Sequence, residues 1–321
     1  MITHRVKRQD LIMALFVLFS SEYDRQSHES ILDIVIPISE VKAYIEKRFR
    51  VSYSGSSWIY TQIHNYEDEI GYRLFDKERT DKDEYALRLH RSMLAFAQKR
   101  HLYINQKIKV SNALYDMILH RSDSRQYAET SAPTIKLLID AGSTVYHLAD
   151  IIANHSSESS IYYEVFTHNI SIIERFLEPH VKTEQITVRT PAGEVDPVTN
   201  SILGDDISLY KGPTFDMIIQ GTSFLFDGTV GVEQERESRV KQKILKETQG
   251  PKILILTGHE IRTEPPEKSQ FPFGKLTDFD LLVVPFNARS KAKNLNAMLE
   301  RYESVLKPEI MNWNYRIYHI Q

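Results

Sequence analysis

The stretch LLIDAGSTVYHLADII, residues 137–152, ends an apolar run on groups that can do chemistry. Asp140 follows the run, Gly142 lets backbone come close to a ligand, and the hydroxyls of Ser143 and Thr144 precede an amphipathic pattern. A strand that turns into a helix leaves backbone N–H groups and the positive end of the helix dipole at the turn, a setting for an anion such as phosphate. The same residues also spell a tight turn with Ser143 capping the helix. Three more apolar runs end in the same way: on Thr167, His168 and Asn169; on Gly221, Thr222 and Ser223, followed by Asp227 and Gly228; and on Thr257, Gly258 and His259. Gathered on one rim, such ends make a polar pocket that suits a small phosphorylated polyol better than a flat aromatic ligand.

These residues need a frame. From about residue 134 the sequence alternates strand and helix: strands at 134–141, 162–167, 185–190, 215–221, 252–257 and 280–285, with helices at 143–154, 170–177, 198–210 and 234–248. That alternation predicts a mostly parallel, doubly wound sheet with helices on both faces. A helix over 291–306 and an aromatic strand over 315–320 close the chain. The polar stretch 120–133 breaks the periodicity and marks a domain boundary. Before it, Leu89, Met93, Phe96, Ala97, Ile104, Ile108, Leu114 and Ile118 recur at threes and fours, the pattern of one long helix over 89–119. Such a helix either packs on its own domain or links and dimerises two copies.

In order and spacing, residues 134–286 resemble the sensor domain of DeoR-type sugar-responsive regulators, which share a fold with ribose-5-phosphate isomerase and CoA transferases. LLIDAGSTVYHLADII, YEVFTHNISI, PAGEVDPVTNSILGDDI, FDMIIQGTSFLFDGTVGV, ESRVKQKIL and DFDLLVVP carry the likeness. The resemblance implies an effector phosphate at Gly142, Ser143 and Thr144 beside Asp140. It implies a sugar end lined by Thr167, Asn169, Gly221, Thr222 and Asp227, and it matches Lys241 to a family lysine. Where the family carries an Asp-x-Ser-Lys signature this chain reads LTGHEIRT, and His259 or Arg262 is the available substitute. The isomerase of the same fold is the enzyme alternative. Asp227-Gly228, Glu233, Glu235 and Lys211-Gly212 echo its acidic cluster and lysine, but its Gly-rich loop is missing.

SGSSWIYTQIHNYEDEIGYRLFDKE, residues 54–78, resembles the recognition helix and following turn of LysR-type winged helix-turn-helix proteins. Ile59, Ile63, Tyr66 and Ile70 share one helical face and would seat the helix. Ser56, Ser57, Tyr60, Thr61, His64 and Asn65 look elsewhere, toward base edges or phosphates of double-stranded DNA. Cations for phosphate contact are sparse: Arg73, Lys77, Arg79, Lys82, Arg88 and the segment 4–8. The acidic Glu67-Asp68-Glu69 suggests, as an alternative, a module that contacts protein rather than DNA.

The totals limit the possibilities. No cysteine is present, which excludes disulfides, thiol catalysis and thiolate zinc sites. The longest apolar run, 11–19, is too short to span a bilayer, and no secretion signal follows it, so a cytoplasmic protein without membrane contact is expected. Residues 1–125 carry 20 Lys and Arg against 17 Asp and Glu, while the remainder is net acidic, which permits a nucleic-acid-facing N-terminal half. None of the twelve histidines has metal-site spacing, so neither metal nor other cofactor is expected. The sequence thus predicts a winged helix over 1–88, a linker helix over 89–120 and an α/β effector-binding domain over 131–321. The expected protein is a dimeric or tetrameric DNA-binding regulator, not an enzyme, whose DNA-binding heads shift when a phosphorylated metabolite binds.

Overall fold

A computed structural model describes residues 6–25, 30–81, 83–90, 96–126, 132–156, 158–179, 181, 183–265, 270–286 and 293–321. Lys82, Met93, the start of the basic segment 4–8, most of the boundary stretch after 126 and the start of the expected 291–306 helix lie outside the described residues. The chain forms two compact units, Met1–Asn105 and the remainder from Gln106 on.

The first unit runs α1 (Arg8–Arg25), β1 (Val35–Pro37), α2 (Ile38–Phe49), α3 (Ser57–Ile70), β2 (Phe75–Arg79), β3 (Tyr85–Leu89) and the single turn α4 (Phe96–Lys99). Its strands form an antiparallel sheet in the order β1-β3-β2. One core holds it together: Leu11, Leu15, Phe16 and Phe19 of α1 meet Val41 and Ile45, Ile59 and Ile63, and Phe75, Leu87 and Leu89. α3 stops at Gly71, whose φ of 77° is the left-handed conformation that glycine adopts freely. Glu67 then folds back and accepts hydrogen bonds from the backbone N–H groups of Leu74 and Phe75, fixing the start of β2.

The expected continuous helix over 89–119 is not found. Leu89 ends β3, and Tyr103 adopts a left-handed φ of 54°, which no α-helix can carry. α5 (Ile104–Gln126) begins only after it. Its buried residues Val110, Ala113, Leu114 and Ile118 join the core of the second unit.

That unit continues with β4 (Thr134–Ile139), α6 (Tyr146–His155), β5 (Tyr162–Thr167), α7 (Ile170–Phe176), β6 (Ile186–Arg189), β7 (Glu194–Asp196), β8 (Ser201–Leu203), α8 (Ser208–Lys211), β9 (Met217–Gln220), β10 (Phe224–Phe226) and β11 (Thr229–Val232). It ends with α9 (Glu235–Glu247), β12 (Lys252–Ile255), β13 (Phe271–Lys275), β14 (Leu281–Pro285), α10 (Lys293–Arg301), β15 (Leu306–Met311) and β16 (Tyr315–Ile320). The main sheet has eight strands in the order β15-β16-β14-β12-β9-β4-β5-β6. β14, β12, β9, β4, β5 and β6 are parallel, and β16 and β15 add an antiparallel edge.

Alternate residues of β4 serve opposite faces. Ile135, Leu137 and Ile139 pack with α5, α6 and α7, while Leu138 packs with Tyr210 of α8 and with Val240 and Ile244 of α9. α10 covers Leu254, Leu282 and Val284 on the latter side. The second unit is therefore an α/β structure with a mostly parallel sheet wrapped on both faces. The helix expected over 198–210 is instead a hairpin and a single turn. Asp196 accepts from the N–H groups of Val198 and Thr199, Asn200 takes a left-handed φ of 52°, and β8 returns along β7.

Candidate functional site

The strand order locates a crevice. From β4 the chain moves to β5 and β6 on one side, then crosses back to β9, β12 and β14 on the other. The reversal falls between β4 and β9, and in open α/β sheets ligands bind beyond the carboxyl ends of the strands at such a reversal. There the turn after β4 stands beside Gly221 and Thr222 after β9.

The turn is built differently from its expected form. Gly142 has a φ of 132°, a conformation closed to other residues, with open space where a Cβ would lie. α6 starts at Tyr146 rather than Ser143, and Ser143 caps nothing. Its hydroxyl instead accepts a hydrogen bond from the Lys107 ammonium at 2.9 Å. Lys107 belongs to α5 and is only 2% exposed. Gly142, Ser143 and Thr144 are half-buried, so the turn reaches solvent, and Ser143 keeps its own proton to donate. Asn169 Nδ2 donates to the Gly142 carbonyl at 3.1 Å and holds the turn from behind.

Behind the turn lies a buried charge network. Lys241, on α9, donates to Asp140 and to the carbonyls of Gly221 at 3.1 Å and Ala141 at 3.4 Å, with Glu237 at 3.6 Å. His168 Nε2 faces the other Asp140 oxygen at 3.3 Å without the alignment of a hydrogen bond. Asp140 and His168 are 0% exposed and Lys241 1%. Burial pushes the Asp140 carboxyl up, but the Lys241 ammonium, and then His168, outweigh it and hold the group below its ordinary value. Tyr210, 3.5 Å from His168 Nδ1, has its hydroxyl pushed far up by burial and by the Asp140 charge. This network ties the ends of β4 and β9 to α9.

The remaining expected ligand residues are structural in this state. Thr167 Oγ1 accepts from Asn169 N–H, and Asn169 Oδ1 caps α7 through Ile172 N–H. We expect Asn169→Ala to cost about 1–2 kcal/mol in urea unfolding, for the missing cap and the freed Gly142 carbonyl. The Thr222 hydroxyl sits between the carbonyls of Phe224 and Gly231 and accepts from Gly231 N–H. Asp227 corrects the expectation most: with φ 46° it forms the exposed tip of the β10–β11 hairpin and pairs with Arg301. At the β12 end, buried Glu260 takes the N–H groups of Thr257 and Gly258 and the Thr257 hydroxyl, so those donors are already used.

Sequence reasoning missed Lys107, Tyr210 and Glu237. Lys107 did leave a signal: it precedes Val110, Leu114 and Ile118 by three, seven and eleven residues, a lysine inside an apolar stripe.

On α3 of the first unit, Ser57, Thr61, His64 and Asn65 are exposed, as expected. Ser56 stands at the N-cap position without a capping bond. Tyr60 and Lys77 face each other: the ammonium lies 4.7 Å from the Tyr60 ring centre and 3.8 Å from that of Tyr85. Burial pushes the Tyr60 hydroxyl up to about 12. The expected phosphate-binding cations Arg73 and Arg79 pair with Asp76 and Asp83, and Arg88 pairs with Glu78. The acidic triplet is likewise engaged: Glu67 by backbone, Asp68 by His64 and Glu69 by Arg8. A cleft of about 480 Å³ between α3 and the β2–β3 hairpin is lined by Tyr60, His64, Arg73 and Lys77 among others.

Among the described residues no group of three or more acidic or histidine side chains could hold a metal ion, and no helix is long and apolar enough to cross a membrane. No family model matches the chain, and no curated protein matches it. Solved structures give weak likenesses. Ribose 5-phosphate isomerase A from Methanocaldococcus jannaschii aligns over 67% of this chain and 78% of its own, at 10% identity and a TM-score of 0.32. The tetrameric eIF2B-beta2-delta2 complex from C. thermophilum aligns over 93% and 90%, at 10% identity and 0.37. The DszA carbon methyltransferase aligns over 98% and 88%, at 8% identity and 0.29. Likenesses at this level carry no argument about activity. The DeoR-type and LysR-type resemblances rest on the residues of the chain.

Proposed function

We propose that the chain is a DNA-binding transcriptional regulator whose second unit senses a small phosphorylated metabolite, such as a sugar phosphate. The observation that carries the sensing half is the Lys107 ammonium on Ser143 at the Gly142–Thr144 turn, where the strand order reverses. A buried cation, a hydroxyl with a proton to give and the start of a ten-residue helix together favour a phosphate group. Ser223, half-buried after β9, stands where the rest of the ligand would extend. The DNA-binding half is supported by the order α1-β1-α2-α3-β2-β3 with sheet order β1-β3-β2, an order that a winged helix would have. In this reading α3 enters the major groove with Ser57, Thr61, His64 and Asn65, and the protein acts as a homodimer or homotetramer on paired half-sites.

The reading is not enzymatic. Isomerase chemistry requires a carboxylate that meets the ligand and moves its proton. Of the carboxylates in question, Asp140 is fully buried with its charge taken up by Lys241, Asp227 pairs with Arg301 and Glu235 pairs with Arg239.

The test is selection of genomic fragments by the full chain at two salt concentrations, with and without pooled pentose and hexose phosphates. A recurrent fragment released by one pool is expected. Ser143→Glu sets a fixed negative charge in the phosphate position and is expected to keep DNA binding but lose the release. A variant that still responds normally removes the turn from the ligand site.

A further inference from the structure

Four of the arginines expected to meet DNA phosphates are paired with carboxylates, while Lys77 lies over the Tyr60 and Tyr85 rings and a second set of cations is, among the described residues, unpaired with any carboxylate. Arg8, Arg73, Arg79 and Arg88 each pair with a carboxylate. At the end of α2, Lys47, Arg48 and Arg50 are all exposed, and among the described residues none of the three has a carboxylate within ion-pair distance. Arg48 donates instead to the Tyr44 hydroxyl at 3.4 Å, which leaves its charge intact. Three like charges within four residues of one helix end form a concentrated positive patch.

The patch is held by a built turn. The Glu46 carbonyl accepts from the N–H groups of Arg50 and Val51, and its carboxylate accepts from Tyr53 N–H at 2.7 Å. Tyr53 in turn packs against Trp58 of α3, with ring centres 3.9 Å apart and ring planes tilted by 30°. The segment that leads from α2 into α3 is thereby fixed at both ends.

Arg50 itself occupies a position that favours glycine. Its φ of 55° and ψ of 43° are left-handed, where a Cβ is unfavourable. α3 solves the same problem with Gly71. An arginine here accepts backbone strain that glycine would avoid, and it adds an exposed cation just beyond the helix end. Cations in a last helical turn also complement the dipole, but that explains Lys47 and Arg48 better than a strained residue beyond the helix.

We propose that Lys47, Arg48 and Arg50 form the contact of the first unit with the phosphodiester backbone of duplex DNA, at the entry to α3. This deepens the DNA-binding reading and rests on it. The contact is independent of base sequence, so it sets affinity and salt dependence rather than specificity.

The test uses the full chain and a 30-base-pair duplex of random sequence, with binding followed by fluorescence anisotropy across a salt series. Wild type is expected to bind with a steep salt dependence. The triple variant Lys47→Ala, Arg48→Ala, Arg50→Gly is expected to bind more than tenfold more weakly at low salt. Its salt slope should be shallower by about 0.9 for each DNA phosphate that the variant no longer neutralises. Arg50→Gly alone separates fold from function: it is expected to melt at a higher temperature than wild type and still bind more weakly. If wild type binds and the triple variant matches it in affinity and slope, the patch is not the contact while the DNA reading stands. If wild type shows no salt-dependent binding to duplex, both fall.

Discussion

Lys241→Met is expected to destabilise the second unit by about 3–5 kcal/mol at pH 7, the range for removing one partner of a buried ion pair. Methionine fills nearly the same volume, so the loss is electrostatic rather than steric. Without the ammonium, a carboxylate that is 0% exposed keeps only His168 beside it, and the carbonyls of Gly221 and Ala141 lose their donor. The pH dependence gives the sharper reading. In the folded wild type Asp140 is held below its ordinary 3.8, so the unfolded chain takes up this proton at a higher pH than the folded chain does. The stability from the pair is therefore complete above the ordinary carboxylate range and drains away as pH falls through the lowered folded value. In the variant, burial is no longer outweighed by Lys241 and the Asp140 carboxyl rises. Protonation then relieves the buried charge, so the gap between wild type and Lys241→Met should be largest at pH 7 and shrink toward pH 4. Urea unfolding across that range measures it. Asp140→Asn combined with Lys241→Met should recover much of the loss. A single variant within about 1 kcal/mol of wild type at pH 7 would mean that the network does not hold β4, β9 and α9 together.

The parallel strands were readable because each is buried on both faces over most of its length and so appears as a mainly apolar run. β4, β5, β9 and β12 have that form and end in small polar residues, with Lys136 and Glu164 as the interruptions in β4 and β5. The turn after β4 was readable as a turn, but its inner build was not. Gly142 consumes the residues that would have opened the helix, and Ser143 finds its partner in α5, 36 residues earlier. The segment 198–210 resembled a helix because Val198, Ile202 and Leu203 fall at helical spacing. The Asx turn at Asp196 and the left-handed Asn200 decide otherwise, and neither shows in apolar periodicity. The continuous helix over 89–119 failed for a like reason: Leu89 belongs to a strand, and Tyr103 breaks the helical backbone. Asp140 and Lys241 were both singled out, yet their meeting across 101 residues belongs to the fold. On the first unit, counting charges along the chain could not separate arginines already paired with carboxylates from those at the end of α2.

Lys107→Met is expected to lower the affinity of the second unit for a phosphorylated ligand by about 10- to 100-fold. That is the effect of losing one charge-assisted hydrogen bond of about 1.5–3 kcal/mol. Ser143→Ala should cost less, because it removes a neutral hydroxyl and leaves the ammonium in place. The measurement is thermal unfolding of each variant with and without a panel of pentose and hexose phosphates, with inorganic phosphate as the smallest probe. Saturating ligand at about a hundred times its dissociation constant stabilises wild type by about 2.7 kcal/mol. The same concentration should stabilise Lys107→Met by only about 0.4–1.4 kcal/mol. Lys107 is buried at the junction of α5 and the turn, so its replacement also shifts unliganded stability. The ligand-induced difference cancels that shift. A lysine that only anchors the turn would move both melting curves together and leave the difference intact, and that outcome would place the phosphate elsewhere on the rim.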